Sequence, residues 1–245
     1  MEDLSCVVLN YYSLENIVSE KNDYKEVIAI VGGTGKEGKG LAYRWRRAGY
    51  PVIIGSRNKE KAQSAVNELL ECLGYKDKSH PELMGKTNLE AVELCNIAVL
   101  TIPYEFHEQI LQELKPGLQG KYLLDVTVPL VPPKVSTVQI PPFGSAAMQT
   151  QTILGKDVKV ISAFQNISFE LLLSEKKIEC EVLVCGIDLD SREMGLRLVK
   201  DAGLTGWDAG PLENSIVQEG LTSILIRLNK KFGVHSAGIK ITGTQ

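Results

Sequence analysis

The chain has 245 residues, 44% of them hydrophobic, and a formal net charge of -3 at pH 7. That length suits one large domain, or a main domain with a small partner, around a real core; the mild acidity argues against nucleic acid or an anionic membrane as the main contact. No apolar run reaches a membrane span, the N-terminus is acidic where a signal peptide would be basic, and five cysteines without a C-x-x-C fit reduced thiols better than a disulfide frame or a metal site, so the expectation is a cytoplasmic protein with no metal.

Residues 1–26 precede the first regular element and form an N-terminal extension that no doubly wound fold requires. VIAIV, residues 27–31, is a short continuous apolar run, the pattern of a strand buried on both faces of a parallel sheet. It breaks into GGTGKEGKG, whose Gly33, Gly35 and Gly38 match G-x-G-x-x-G. Glycines at those places permit a tight turn, the approach of a pyrophosphate and close helix packing, with the anion at the helix N-terminus. Gly33, Thr34, Gly35, Lys36, Glu37 and Gly38 are therefore candidate dinucleotide contacts. A helix follows over residues 41–48, with Leu41, Ala42, Trp45 and Ala48 at helical spacing and Gly49 as the stop.

The second strand, at residues 51–55, ends in GSRNKEKA, which opens a helix over residues 59–73. A site reading NAD places an acid there to accept the ribose hydroxyls; this chain has Ser56, Arg57 and Lys61 instead, a set that suits the 2′-phosphate of NADP. Lys59 lies close enough to stand in for Lys61. Next come NIAVLTIP, ending in Thr101, Ile102 and Pro103, then a helix over residues 105–114 and strands at 122–126 and 158–163. Between these two strands a segment with five prolines, running into a part that can begin a helix, is expected to wall or cover the ligand edge of the sheet. The last eighty or so residues hold a strand-like CEVLVCG, a helix at 191–202 and an amphipathic helix around 221–231 whose Leu221, Ile224, Leu225 and Leu228 form one apolar stripe. His107, at a predicted helix start, is expected to pack or cap; His80 lies in a polar loop and His235 in a C-terminal loop.

The alternation predicts an α/β fold, a Rossmann-type doubly wound parallel sheet with a small C-terminal α/β domain. The expected boundaries are 1–26 for the extension, 27–165 for the NADP-binding domain and 166–245 for the small C-terminal domain.

Taken together, GGTGKEGKG, GSRNKEKA, TIPYE, DVTVPL and DAGPLENS resemble the NADPH-dependent coenzyme F420 reductases, which pass hydride between NADP and an 8-hydroxy-5-deazaflavin. The resemblance spans residues 27–243. It implies NADP and coenzyme F420 as the two small-molecule partners, a homodimer, and an acceptor cleft closed by the domain of residues 166–245. It matches Thr34, Ser56, Arg57 and Lys61 to the residues holding the 2′-phosphate, and Thr101, Ile102 and Pro103 to the segment beside the nicotinamide. Where archaeal members carry a histidine, this chain has Gln165, placed with Phe164 and Asn166 as a candidate wall of the acceptor pocket; an amide cannot titrate. No side-chain nucleophile is expected, because hydride transfer rests on positioning. An NADPH-dependent reductase of a flavin or of a small keto or imino acid, and a non-catalytic NADPH-binding redox sensor, are the competing readings.

Overall fold

The computed structural model describes residues 25–74, 82–174 and 177–243. The expected extension lies outside the described residues except for Lys25 and Glu26, and so do Cys6 and His80. Strand β1 (Ile28–Val31) is wholly buried. Its side chains alternate between two cores: Ile28 and Ile30 enter one, Ala29 and Val31 the other. That is why the run is apolar at every position, since a strand with helices on both faces has no wet side. Strands β2 (Val52–Ser56) and β4 (Ile97–Leu100) flank β1 in parallel and feed the same two cores.

Helix α1 (Lys36–Arg47) buries Leu41, Ala42 and Trp45, and the Trp45 indole donates to the carbonyl of Leu198 at 3.0 Å. Helix α2 (Lys59–Cys72) is capped by Asn58, whose side chain accepts from the Lys61 N–H at 2.8 Å. Sequence reading passed over the next unit, strand β3 (Leu83–Thr87) and helix α3 (Asn88–Leu94). Helix α4 (His107–Leu118), strand β5 (Tyr122–Asp125), helix α5 (Ala146–Leu154) and strand β6 (Lys159–Ser162) continue the alternation.

The fold is α/β and Rossmann-like, but the sheet is mixed where a parallel one was expected. Its order is β3-β2-β1-β4-β5-β6-β7-β8; β7 (Glu181–Gly186) pairs antiparallel with β6, and β8 (Thr205–Pro211) pairs parallel with β7. Among the described residues, the link between β6 and β7 carries only the one-turn helix α6 (Phe169–Leu172). Arg44 of α1 ties it down by donating to the carbonyls of Leu171, Leu172 and Ser174. With no long crossover helix the next strand enters from the opposite end. The C-terminal residues thus extend the main sheet through β7 and β8, with helices α7 (Leu189–Asp201) and α8 (Ser215–Phe232) completing the chain.

Candidate active site

The glycine loop leaves β1 through Gly32, at φ 73°, whose N–H donates to Asn88 Oδ1 at 3.3 Å. The motif glycines do different work. Gly33 is pinned by its own N–H to the carbonyls of Ile30 and Gly55, and a Cβ on it would lie 2.8 Å from Ile30 O. A Cβ on Gly38 would lie 2.7 Å from Gly33 Cα and 2.8 Å from Thr101 Oγ1, so its bareness lets α1 seat against the loop and against β4's end. Gly35 is exposed, caps α1 without a side-chain bond, and has only Gly32 O near an added Cβ, at 3.5 Å. The protein's own packing does not require glycine there. A side chain would instead stand over the open N–H groups of the helix start, where a pyrophosphate binds. This cradle fits a dinucleotide.

Beside it lies a cavity of about 290 Å³, lined by Thr34, Gly35, Ser56, Arg57 and Lys61 together with Asn88 and Phe106. The three predicted phosphate ligands therefore converge on one space, and among the described residues no carboxylate lines it. Ser56 is held in place by the N–H of Asn58, 3.2 Å from its Oγ. Arg57 has its guanidinium over the Phe106 ring. Lys59 does not join them; its ammonium pairs with Glu90 at 3.2 Å. Lys36 also turns away, to the face of Phe169 at 4.7 Å, and lines neither this cavity nor the next.

Thr101, Ile102 and Pro103 form a wall common to this space and to a second cavity of about 600 Å³. Thr101 is fixed by donating to the Val31 carbonyl at 3.0 Å. The second cavity is mostly apolar, with Val126, Val128, Leu130, Val131 and Val135 on its walls. The proline-rich segment is thus a wall of the site. Polar groups interrupt the apolar lining, among them Glu37 and Thr127. Burial pushes the Glu37 carboxyl up to about 8.

A model of the coenzyme F420-dependent NADP oxidoreductases matches residues 27–129. The F420-dependent NADP reductase of Methanocaldococcus jannaschii is 36% identical over 223 residues, covering 89% of this chain and 99% of the relative. The chain belongs to the F420-dependent NADP reductase family. The reductase of the same description from Methanothermobacter marburgensis is also 36% identical, covering 88% of this chain and 97% of that one. Among solved structures, one from Arthrobacter sp. FB24 has a TM-score of 0.73 at 22% identity, covering 89% of this chain and all of that one, a likeness of fold.

In this family member Gln165 packs inside the protein. It is buried, donates to the Asp125 carbonyl and Ser162 Oγ, both at 2.8 Å, and accepts from Gln218 Nε2 at 2.8 Å. It lines neither cavity, and neither do Phe164, which packs edge-on against Trp45, nor Asn166, which donates to the Glu181 carbonyl. A buried amide finds its partners within the protein, and this one bridges the ends of β5 and β6 to α8. Among the described residues, none beyond Gln165 lines either cavity, and the segment from Val126 to Val135 supplies one wall of the second. His107 is fully packed, with Nε2 3.0 Å from Asp125 Oδ2 and 2.9 Å from Thr150 Oγ1.

The lining also includes residues that the sequence did not single out, among them Asn88, Phe106 and Thr127. For Asn88 a signal existed, because Thr87 and Glu90 form a capping box that marks a helix start directly at it. For Thr127 the signal was only its place after the Asp125 carboxylate, which accepts the Thr127 N–H at 2.9 Å and turns the backbone.

Proposed function

We propose that the protein transfers a hydride between NADP(H) and coenzyme F420. The observation that carries this reading is the pair of cavities of unlike chemistry that meet on Thr101, Ile102 and Pro103. The cationic one suits the 2′-phosphate of NADP, and the larger apolar one suits a flat fused ring system. NADP(H) and F420 supply the redox chemistry themselves. The chain's residues bind, orient and exclude water. Ser56, Arg57 and Lys61 hold the 2′-phosphate, the N–H groups at the start of α1 hold the pyrophosphate, and the wall residues set the nicotinamide's distance from the second cavity, where positioning lowers the barrier. The kinship with the methanogen reductases supports the same assignment.

The test is loss of F420 absorbance on mixing the purified protein with NADPH and oxidised F420. Multiple turnovers are expected; full NADPH binding without turnover between pH 5 and 9 would overturn the reading.

The reading extends to a cytoplasmic homodimer. Cys72, Cys95, Cys180 and Cys185 are free thiols, in keeping with a reducing compartment. Among the described residues no helix is long and apolar enough to cross a membrane. Val217 and Ile224 are exposed on α8, three before and four after Gly220, which puts all three on one face. Val138, itself exposed, lies 3.4 Å from where a Gly220 Cβ would be. These side chains make one apolar patch across α8 and the proline-rich segment, suited to a second copy. Light scattering should give twice the chain mass, and a monomer mass at every concentration would rule it out.

A further inference from the structure

The second cavity contains an unexplained pair of atoms. Glu37 Oε1 and Thr127 Oγ1 are both shut off from solvent, and neither has a hydrogen-bond partner among the described residues. Both residues line the same mostly apolar space. Glu37 as a whole is only partly buried, but that carboxyl oxygen is enclosed. Leaving a buried polar atom unmatched costs about 1–3 kcal/mol, and two in one wall point to a ligand that supplies the missing partners.

The chemistry of the proposed reaction says what such an acid can do. Hydride transfer from NADPH breaks a C–H bond on the nicotinamide and forms one on the deazaflavin, moving two electrons and one hydrogen. The balanced reaction, NADPH + F420 + H⁺ giving NADP⁺ + reduced F420, also consumes a proton, which ends on a ring nitrogen of the acceptor. We propose that Glu37 is the catalytic acid that delivers this proton from the wall of the second cavity, with the Thr127 hydroxyl as its neighbouring hydrogen-bonding group toward the acceptor ring. The inference rests on the hydride-transfer reading above. As the acceptor is reduced, the Glu37 O–H bond breaks and an N–H bond forms; the carboxylate then regains its proton from solvent. In the reverse direction the carboxylate takes the proton from reduced F420.

The electrostatics agree. Burial alone raises the carboxyl to about 8, so it is mostly protonated at neutral pH and can still lose its proton. The neighbouring charges are engaged elsewhere: Lys36 lies over Phe169, and Lys39 pairs with Glu68 at 2.6 Å. The other titratable groups on this cavity are Tyr104 and Glu105, from the turn after Pro103. Burial, followed by Glu219 and Glu108, raises the Tyr104 phenol, which therefore stays neutral, and Glu105 is exposed. The segment from Val126 to Val135 contributes no charged side chain to the wall.

The experiment compares the wild type with Glu37→Gln, which keeps the shape but cannot ionise, and with Glu37→Leu. Wild-type kcat for F420 reduction should fall as pH rises through about 8, whereas kcat for NADP⁺ reduction should rise through the same pH. Glu37→Gln should lower the forward kcat by about 10²-fold, abolish both pH limbs and leave the NADPH dissociation constant unchanged. A readout independent of turnover is the carboxyl ¹³C titration of the ligand-free protein, in which one resonance with a midpoint near 8 should vanish in the variant. Unchanged pH limbs in the variant, weakened NADPH binding with intact F420 kinetics, or no carboxyl titrating near 8 would each overturn the assignment. If Glu37→Gln fails to fold, the wild-type pH profiles and Glu37→Leu decide it by the same criteria. Failure of the wild type to turn over F420 at all would remove the hydride-transfer reading and this inference with it, an outcome distinct from active wild type with an indifferent variant.

Discussion

The guanidinium of Arg57 lies 5.1 Å from the centroid of the Phe106 ring, so the side chain from the end of β2 rests on a platform supplied by the turn before α4. A cation stacked this way keeps its N–H edge free for a phosphate. Arg57→Ala should cost about 2 kcal/mol of NADPH binding, roughly thirtyfold, from the lost charge-assisted bonds. NADH, without the 2′-phosphate, should bind nearly as before. Ser56→Asp combined with Arg57→Ala should move preference toward NADH, because the carboxylate repels the phosphate and accepts from ribose hydroxyls. Dissociation constants at one salt concentration check both; equal losses for the two nucleotides would mean that these residues only support the fold.

Gly38→Ala should damage binding and stability together. The new methyl group meets backbone of Gly33 on one side and the Thr101 hydroxyl on the other, and neither is the loose end of a long side chain. Overpacking of this kind costs about 1–3 kcal/mol. Since the displaced parts are the glycine loop and the common wall, NADPH and NADH affinity should fall alike, as measured by fluorescence titration alongside a melting curve.

Gln165→Ala should act on stability and spare the acceptor. It removes three buried hydrogen bonds, to the Asp125 carbonyl, to Ser162 and from Gln218, for about 2 kcal/mol. The denaturation midpoint should drop while the KM for F420 stays within error; a changed KM with unchanged stability would put this side chain back at the acceptor.

Two buried carboxyls should give pH dependences of opposite sign. Burial would raise Asp125, but His107, Thr150 and the Thr127 N–H outweigh it and hold it below its ordinary value of 3.8. Its contribution to stability is therefore present above that pH and is lost as pH falls below it. Asp125→Ala should cost about 3–5 kcal/mol at neutral pH by stranding its partners and should flatten the acid limb. Glu37 runs the other way. Raised from 4.5 to about 8, it binds more proton in the folded state, so its contribution falls as pH climbs between those values. Urea midpoints of the wild type and Glu37→Gln between pH 4 and 9 should diverge across that window.

What could be read from the chain divides along physical lines. β1, the glycine loop and the closeness of Ser56, Arg57 and Lys61 were legible, because a strand buried on both faces is apolar throughout and side chains at a strand end and the helix start that follows it stay together in space. β3 was not legible. It is an edge strand reading LMGKT, half of it in contact with solvent, and its Gly85 is bare because the backbone of Ala62 and Gln63 lies within 2.9 Å of where a Cβ would be. β8, TGWDAGP, is hidden for the same reason, with exposed and half-buried residues only. The antiparallel entry of β7 depends on how Arg44 anchors a distant one-turn helix, a contact across more than a hundred residues that no local pattern carries. The packing of Gln165 was not legible, because a strand end beside a ligand edge offers two destinations to an amide, and its side-chain partner Gln218 is remote in the chain.

The wall made by Thr101, Ile102 and Pro103 has one further consequence, which concerns handedness. A nicotinamide lying against that strip turns one face to the protein and the other to the second cavity, so only one of the two hydrogens at its C4 points toward the acceptor. Hydride transfer is then stereospecific. NADPH deuterated on one face should pass its label to F420 almost entirely, and the opposite epimer should retain it.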